Sequence, residues 1–164
     1  MIFPSHLENE ILQVLNEVHP YEEVAYFITS LSNRWQDVGS GFIGQLEKPM
    51  SSEEFLSHLK KQLDLGQIRH TAPLNKKIQT VAVCGGAGSF LFDEAKKQKA
   101  DAYVSADFKY HEFFDAENKC LICDIGHYES EVMIKDAILD YLLNIFSTFA
   151  VLKSDICTNP VLYT

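Results

Sequence analysis

Apolar residues along this chain recur with two periods, and the switches between them mark its elements. Leu7, Ile11, Leu12, Val14, Leu15 and Val18 fall at helical spacing, so a helix with one apolar face is predicted near the start. Ser5 and Glu8 form a capping-box pattern ahead of it, and His19-Pro20 stops it. Residues 22–29 are rich in β-branched and aromatic side chains and predict a strand. Residues 30–41 are polar and contain Asn33, Gly39 and Gly41, which makes them the best boundary in the chain.

Beyond that boundary, strand and helix alternate. A strand is predicted over 41–47, ended by Pro49. Ser51 and Glu54 make a second capping box, and Phe55, Leu56, Leu59 and Leu63 follow on one helical face. A weak strand over 67–72 precedes a strong one over 78–84, where Val81, Ala82, Val83 and Cys84 read as buried on both faces. The order then runs helix 88–99, strand 102–105, helix 109–116, strand 119–125 and helix 132–146, with a final strand over 149–153. The helix over 132–146 carries a polar stripe, Asp136, Asp140 and Asn144, between apolar faces. This pattern predicts an α/β fold, a layered sheet of mostly parallel or mixed strands with flanking helices. The opening helix and strand stand outside the alternation. Two domains are therefore expected, a small module over 1–32 and an α/β domain over 33–164.

Composition narrows the function classes. The chain has 164 residues, 46% of them hydrophobic and 12% aromatic, enough to bury a core. A net charge of −9 argues against nucleic acid as a partner, because phosphate neutralisation needs clustered Lys and Arg. No apolar stretch reaches the length of a membrane span, and the first residues lack the features of a secretory signal. Cys120 and Cys123 form a C-x-x-C, but they lie inside a predicted strand. Residues three apart on a strand point to opposite faces, so they neither chelate one metal nor close a disulfide. They read as core thiols, which points to a reducing compartment and a cytoplasmic location.

Candidate chemistry sits in the turns after three successive strands. Open α/β sheets bind ligands outside the carboxyl ends of their strands. Cys84-Gly85-Gly86-Ala87-Gly88-Ser89 is either an anion cradle of backbone N–H groups or a tight turn with close backbone approach; it is neither a P-loop nor a full dinucleotide fingerprint. Asp107 and His111 are four apart, as are His127 and Glu131. Each pair shares a face at a helix start, and the four together would be an N₂O₂ set suited to zinc, manganese or iron. Each pair also reads simply as a solvated first helical turn.

Five segments carry a resemblance: His19-Pro20-Tyr21-Glu22-Glu23-Val24-Ala25-Tyr26, Val81-Ala82-Val83-Cys84-Gly85-Gly86-Ala87-Gly88-Ser89, Ala106-Asp107-Phe108-Lys109-Tyr110-His111, Asp124-Ile125-Gly126-His127-Tyr128-Glu129-Ser130-Glu131 and Thr158-Asn159-Pro160. In this order they resemble the dinuclear-metal-centre family of GTP cyclohydrolase 1 type 2 homologues, also called the Ngg-interacting-factor-three family. The resemblance implies the C-terminal part of that fold, preceded over 1–32 by the end of a ferredoxin-like insert, and hence a fragment or shortened form. It implies that His127 and Glu131 are metal ligands, and that the other ligands of a two-ion site belong to an N-terminal half without counterpart here. It further implies a divalent transition metal (zinc, iron or manganese), a toroidal homohexamer, and metal-assisted hydrolysis of a small nucleotide-like substrate. Glu129, Asp107 and His111 are the candidates for moving a proton, on proximity in sequence alone. The alternative is a non-catalytic metal-binding or protein-interaction module with an incomplete site.

Overall fold

A computed structural model describes residues 1–33 and 38–164. The chain divides into two compact units, Met1–Asp37 and Val38–Thr164. Part of the polar stretch expected as a boundary, residues 34–37, lies outside the described residues.

The first unit holds helix α1, Glu8–Val18. The Ser5 capping box does not form. Ser5–Leu7 instead makes a 3-10 turn, closed by the Leu7 N–H donating to the Pro4 carbonyl at 3.0 Å, and α1 begins only after it. No strand forms over 22–29. A lone β-prone segment leaves its backbone groups unpaired, and none of the described residues of this unit supplies a second strand.

The second unit is built on a five-stranded mixed sheet with the order β1-β3-β4-β5-β2. The strands are β1, Phe42–Met50; β2, Arg69–His70; β3, Ile78–Ala87; β4, Ala102–Ala106; and β5, Leu121–Asp124. β3, β4 and β5 are parallel, while β1 and β2 pair antiparallel at the two edges. Pro49 does not end β1. The pairing slips between Gln45 and Met50, and an edge strand tolerates the missing N–H.

Both faces of the sheet are covered around β4 and β5. Helix α2, Ser52–Gln62, puts Phe55 and Leu59 against Ala102, Val104, Leu121 and Cys123. Helix α3, Phe92–Lys97, puts Phe92 and Ala95 against the opposite face with Tyr103, Phe108, Cys120 and Ile122. Cys120 and Cys123 thus enter opposite core layers as free, buried thiols. Burial holds the Cys120 thiol far above its ordinary range, at about 12, and pushes that of Cys123 up as well. β3 is less enclosed than its sequence implied. Ala82 and Cys84 are buried, but Val83, paired with the exposed Phe42 of β1, is 40% exposed.

The capping box of α2 forms as expected. Glu54 N–H donates to Ser51 Oγ at 3.2 Å, and Ser51 N–H donates to the Glu54 carboxylate at 2.8 Å. Helix α4, His127–Glu131, and helix α5, Ile134–Ile145, follow β5. The strand expected over 149–153 is absent, and this segment makes no ladder. Lys153 is instead ion-paired to Asp136 of α5. No described helix is long and apolar enough to cross a membrane.

Candidate functional site

Because β3, β4 and β5 run parallel, their carboxyl ends meet at one side of the sheet. β4 delivers Asp107 there, and β5 delivers Gly126 and α4. Gly126 has φ +92°, which lets the chain leave β5 and turn into α4. A Cβ at that position would lie 2.2 Å from Glu129 Oε2 and 2.9 Å from Tyr163 Oη. Asp107 takes the left-handed conformation, φ +58°, which Asp tolerates better than most residues.

The two turns bring His127, Glu131 and Asp107 together. His127 Nδ1 is 2.7 Å from Asp107 Oδ2, and its Nε2 is 3.3 Å from Glu131 Oε2. All three side chains are about half exposed. The Asp107 hydrogen bond, aided by the Glu131 charge, raises the His127 pKa above its ordinary value. Gly86 passes directly beneath the pair. It has φ +63°, and a Cβ there would lie 2.4 Å from Glu131 Oε1 and 3.3 Å from His127 Cε1.

That close approach decides how the glycine segment works. Gly86 N–H donates to Ser130 Oγ at 2.8 Å, Ser105 Oγ–H donates to the Gly86 carbonyl at 3.1 Å, and Tyr103 donates to the Gly88 carbonyl at 2.6 Å. Its backbone is engaged with protein partners, and its lack of side chains makes room for Glu131 and His127.

A cleft of about 640 Å³ opens beside the pair, lined by Arg69, Asp107, His127, Glu129, Glu131, Lys135, Asn159 and Tyr163 among others. Glu129 forms part of its wall. Asn159 Nδ2 donates to Glu129 Oε1 at 3.0 Å, and burial together with the Glu129 carboxylate raises the Tyr163 hydroxyl pKa. His111 does not join the site. It is exposed, with its ring packed edge-on against Tyr110. The N₂O₂ set of Asp107, His111, His127 and Glu131 is therefore not assembled. Among the described residues no three His, Cys, Asp or Glu side chains are grouped to hold a metal ion.

The geometry nevertheless fits part of a metal site. With Nδ1–H donated to Asp107, a neutral ring turns a bare Nε2 lone pair toward a carboxylate oxygen, and two acceptors 3.3 Å apart call for a proton or a cation between them. Both atoms can reach one ion at bond lengths of roughly 2.0–2.2 Å. A carboxylate behind the far ring nitrogen is the usual outer support of a metal-bound histidine. His127 and Glu131 thus fit as two ligands, with Asp107 behind the ring.

Several participants escaped sequence reasoning. Arg69 and Tyr163 had no signal, since each acts through a partner distant in the chain, and Ser130 appeared only inside a motif with nothing in it pointing to Gly86. Asn159 appeared only inside a motif, and nothing in the motif pointed to Glu129.

Comparisons with known proteins agree with the fold. A family model for Duf34/NIF3 (NGG1p interacting factor 3) matches residues 4–160. A GTP cyclohydrolase 1 type 2 homolog of Bacillus subtilis is 34% identical over 80% of this chain and 36% of its own length. Its counterpart in Staphylococcus epidermidis is 32% identical over 99% of this chain and 45% of its own. The crystal structure of a Bacillus cereus protein related to NIF3 superposes with TM-score 0.79 at 32% identity, covering 99% of this chain and 46% of that one. This chain spans less than half the length of these relatives. With the family model matching nearly its whole length, the chain belongs to the Duf34/NIF3 family.

Proposed function

We propose that this chain carries part of a dinuclear metal centre of a metal-dependent hydrolase, and that His127 and Glu131 are two of its ligands. The observation that carries this reading is the convergence of His127 Nε2 and Glu131 Oε2 at 3.3 Å, with Asp107 holding the opposite ring nitrogen. The names of its relatives support a cyclohydrolase-like reaction on a small nucleotide-like molecule. A divalent ion such as zinc, iron or manganese would lower the pKa of bound water and supply a nucleophile at neutral pH.

The chain's own residues account for the rest. Asp107 accepts a hydrogen bond from Nδ1–H, which keeps the proton on that nitrogen and leaves Nε2 free to bind. Glu131 adds a negative oxygen beside it. Glu129 lines the same cleft, and its carboxylate is the group placed to exchange a proton with a bound molecule. Asn159 fixes one of its oxygens. The reading extends to a chain that corresponds to the C-terminal part of the full-length fold, and to self-association that completes the site. A binding module without turnover is the second reading, favoured by the absence of a third grouped ligand among the described residues.

Zinc titration by calorimetry tests the ligand assignment. The chain should bind Zn²⁺ weakly, His127→Ala and Glu131→Gln should each abolish that binding, and His111→Ala should leave it intact. Equal zinc affinity in the first two variants would sink the assignment.

A further inference from the structure

We propose that Asp124, braced by Arg69, is the positioning residue that sets the His127–Asp107 pair. The inference rests on the ligand assignment above for its purpose, and on separate atoms for its geometry.

Asp124 ends β5 and is a charged side chain buried in the core, 5% exposed. Its Oδ2 accepts from the Phe108 N–H at 3.1 Å and from Arg69 Nη1 at 3.1 Å, and its Oδ1 accepts from the Gly126 N–H at 3.2 Å. Phe108 directly follows Asp107, and Gly126 directly precedes His127. One carboxylate therefore holds the backbone beside each member of the pair, across two different strand-to-helix turns. Arg69 adds a second tie, because its Nη2 donates to the Phe108 carbonyl at 3.1 Å. Its guanidinium also lies over the Phe113 ring, 5.1 Å from the centroid.

Both turns need holding. Asp107 and Gly126 have positive φ, conformations that persist where surrounding contacts over-determine them. A change in either turn moves Nδ1 relative to Oδ2, because each side chain follows its own turn and both are half exposed. Buried charge is costly unless fully paired, and here the pairing is spent on loop geometry. Only an acceptor with two oxygens serves both amides and the guanidinium at once.

The test is the ring tautomer of His127, read by long-range ¹H–¹⁵N NMR without metal and at a pH where the imidazole is neutral. The wild-type ring should carry its proton on Nδ1. Asp124→Asn keeps the size but places an amide donor against a backbone donor. It should shift the ring toward a mixture of tautomers and weaken Zn²⁺ binding by roughly 10–100-fold, the usual cost of losing outer support. Arg69→Gln should move both readouts the same way by less. Ile78→Val truncates the core at the far end of β3; it should lower Tm and leave the ring unchanged, which separates positioning from general destabilisation. If Asp124→Asn does not fold, Arg69→Gln and Arg69→Lys carry the test.

A folded Asp124→Asn or Arg69→Gln with the wild-type tautomer overturns the proposal. Should the tautomer change in Asp124→Asn while the wild-type chain binds no zinc, the positioning role stands and the ligand assignment fails. If zinc binding depends on His127 while Asp124→Asn alters neither the tautomer nor the affinity, the positioning role fails alone.

Discussion

α2 and α5 are nearly equal in length, 11 and 12 residues, and both are amphipathic, yet only one is packed. α2 buries Ser52, Phe55 and Leu59 and starts at a complete capping box. α5 buries no residue and has no side-chain cap, and Ile134, Ile138, Tyr141 and Ile145 are each more than half exposed. An apolar stripe states which face of a helix wants cover. It does not state what covers it. The same division runs through the candidate site. His127 and Asp107 are held from the sheet, whereas Glu129 is held by Asn159 of the segment beyond α5.

The largest test of the contrast compares core truncations. Phe55→Ala should cost about 3–5 kcal/mol in denaturant unfolding, because it empties a filled core position. Ile138→Ala in α5 should stay within about 0.5 kcal/mol, as at an exposed site. Equal losses would mean that α5 is covered in solution and that the contrast is false.

A second test asks how tightly the sheet side holds its polar groups. Burial works against ionisation of Asp101. The Lys76 ammonium at 2.5 Å and the N–H groups of Thr80 and Gln79 outweigh it, so its pKa is lowered. A lowered folded-state pKa gives stability that is present above the unfolded carboxylate value and lost as pH falls through the folded one. Asp101→Ala should therefore cost about 1–3 kcal/mol near neutrality. The gap from wild type should close in acid, below the ordinary carboxylate range. A gap that stays constant with pH would assign the loss to packing.

The smallest test concerns the cap. Ser51→Ala should cost about 0.5–2 kcal/mol by thermal or chemical unfolding. No loss would show that sheet packing alone positions α2.

Much of the layered sheet was legible because its parallel strands are short, mostly apolar runs and α2 carries a full capping box. Cys120 and Cys123 were assignable to opposite faces from spacing alone, and they lie in separate core layers. Residues 22–29 and 149–153 misled because strand propensity says nothing about a pairing partner. At the site, His127 and Glu131 were legible as a local pair four apart. Asp107 entered through a different pairing, with His127 rather than with His111, because loop backbone decides which turn it faces. The Arg69–Asp124 bond joins residues 55 apart, and no local pattern encodes it.

The ligand assignment is tested most directly by following the His127 ring nitrogens in the long-range ¹H–¹⁵N spectrum as Zn²⁺ is added. The expected result is a zinc-dependent shift at Nε2 with the proton retained on Nδ1, abolished in Glu131→Gln. An unchanged His127 ring at saturating zinc, or a shift at Nδ1 instead, would contradict it.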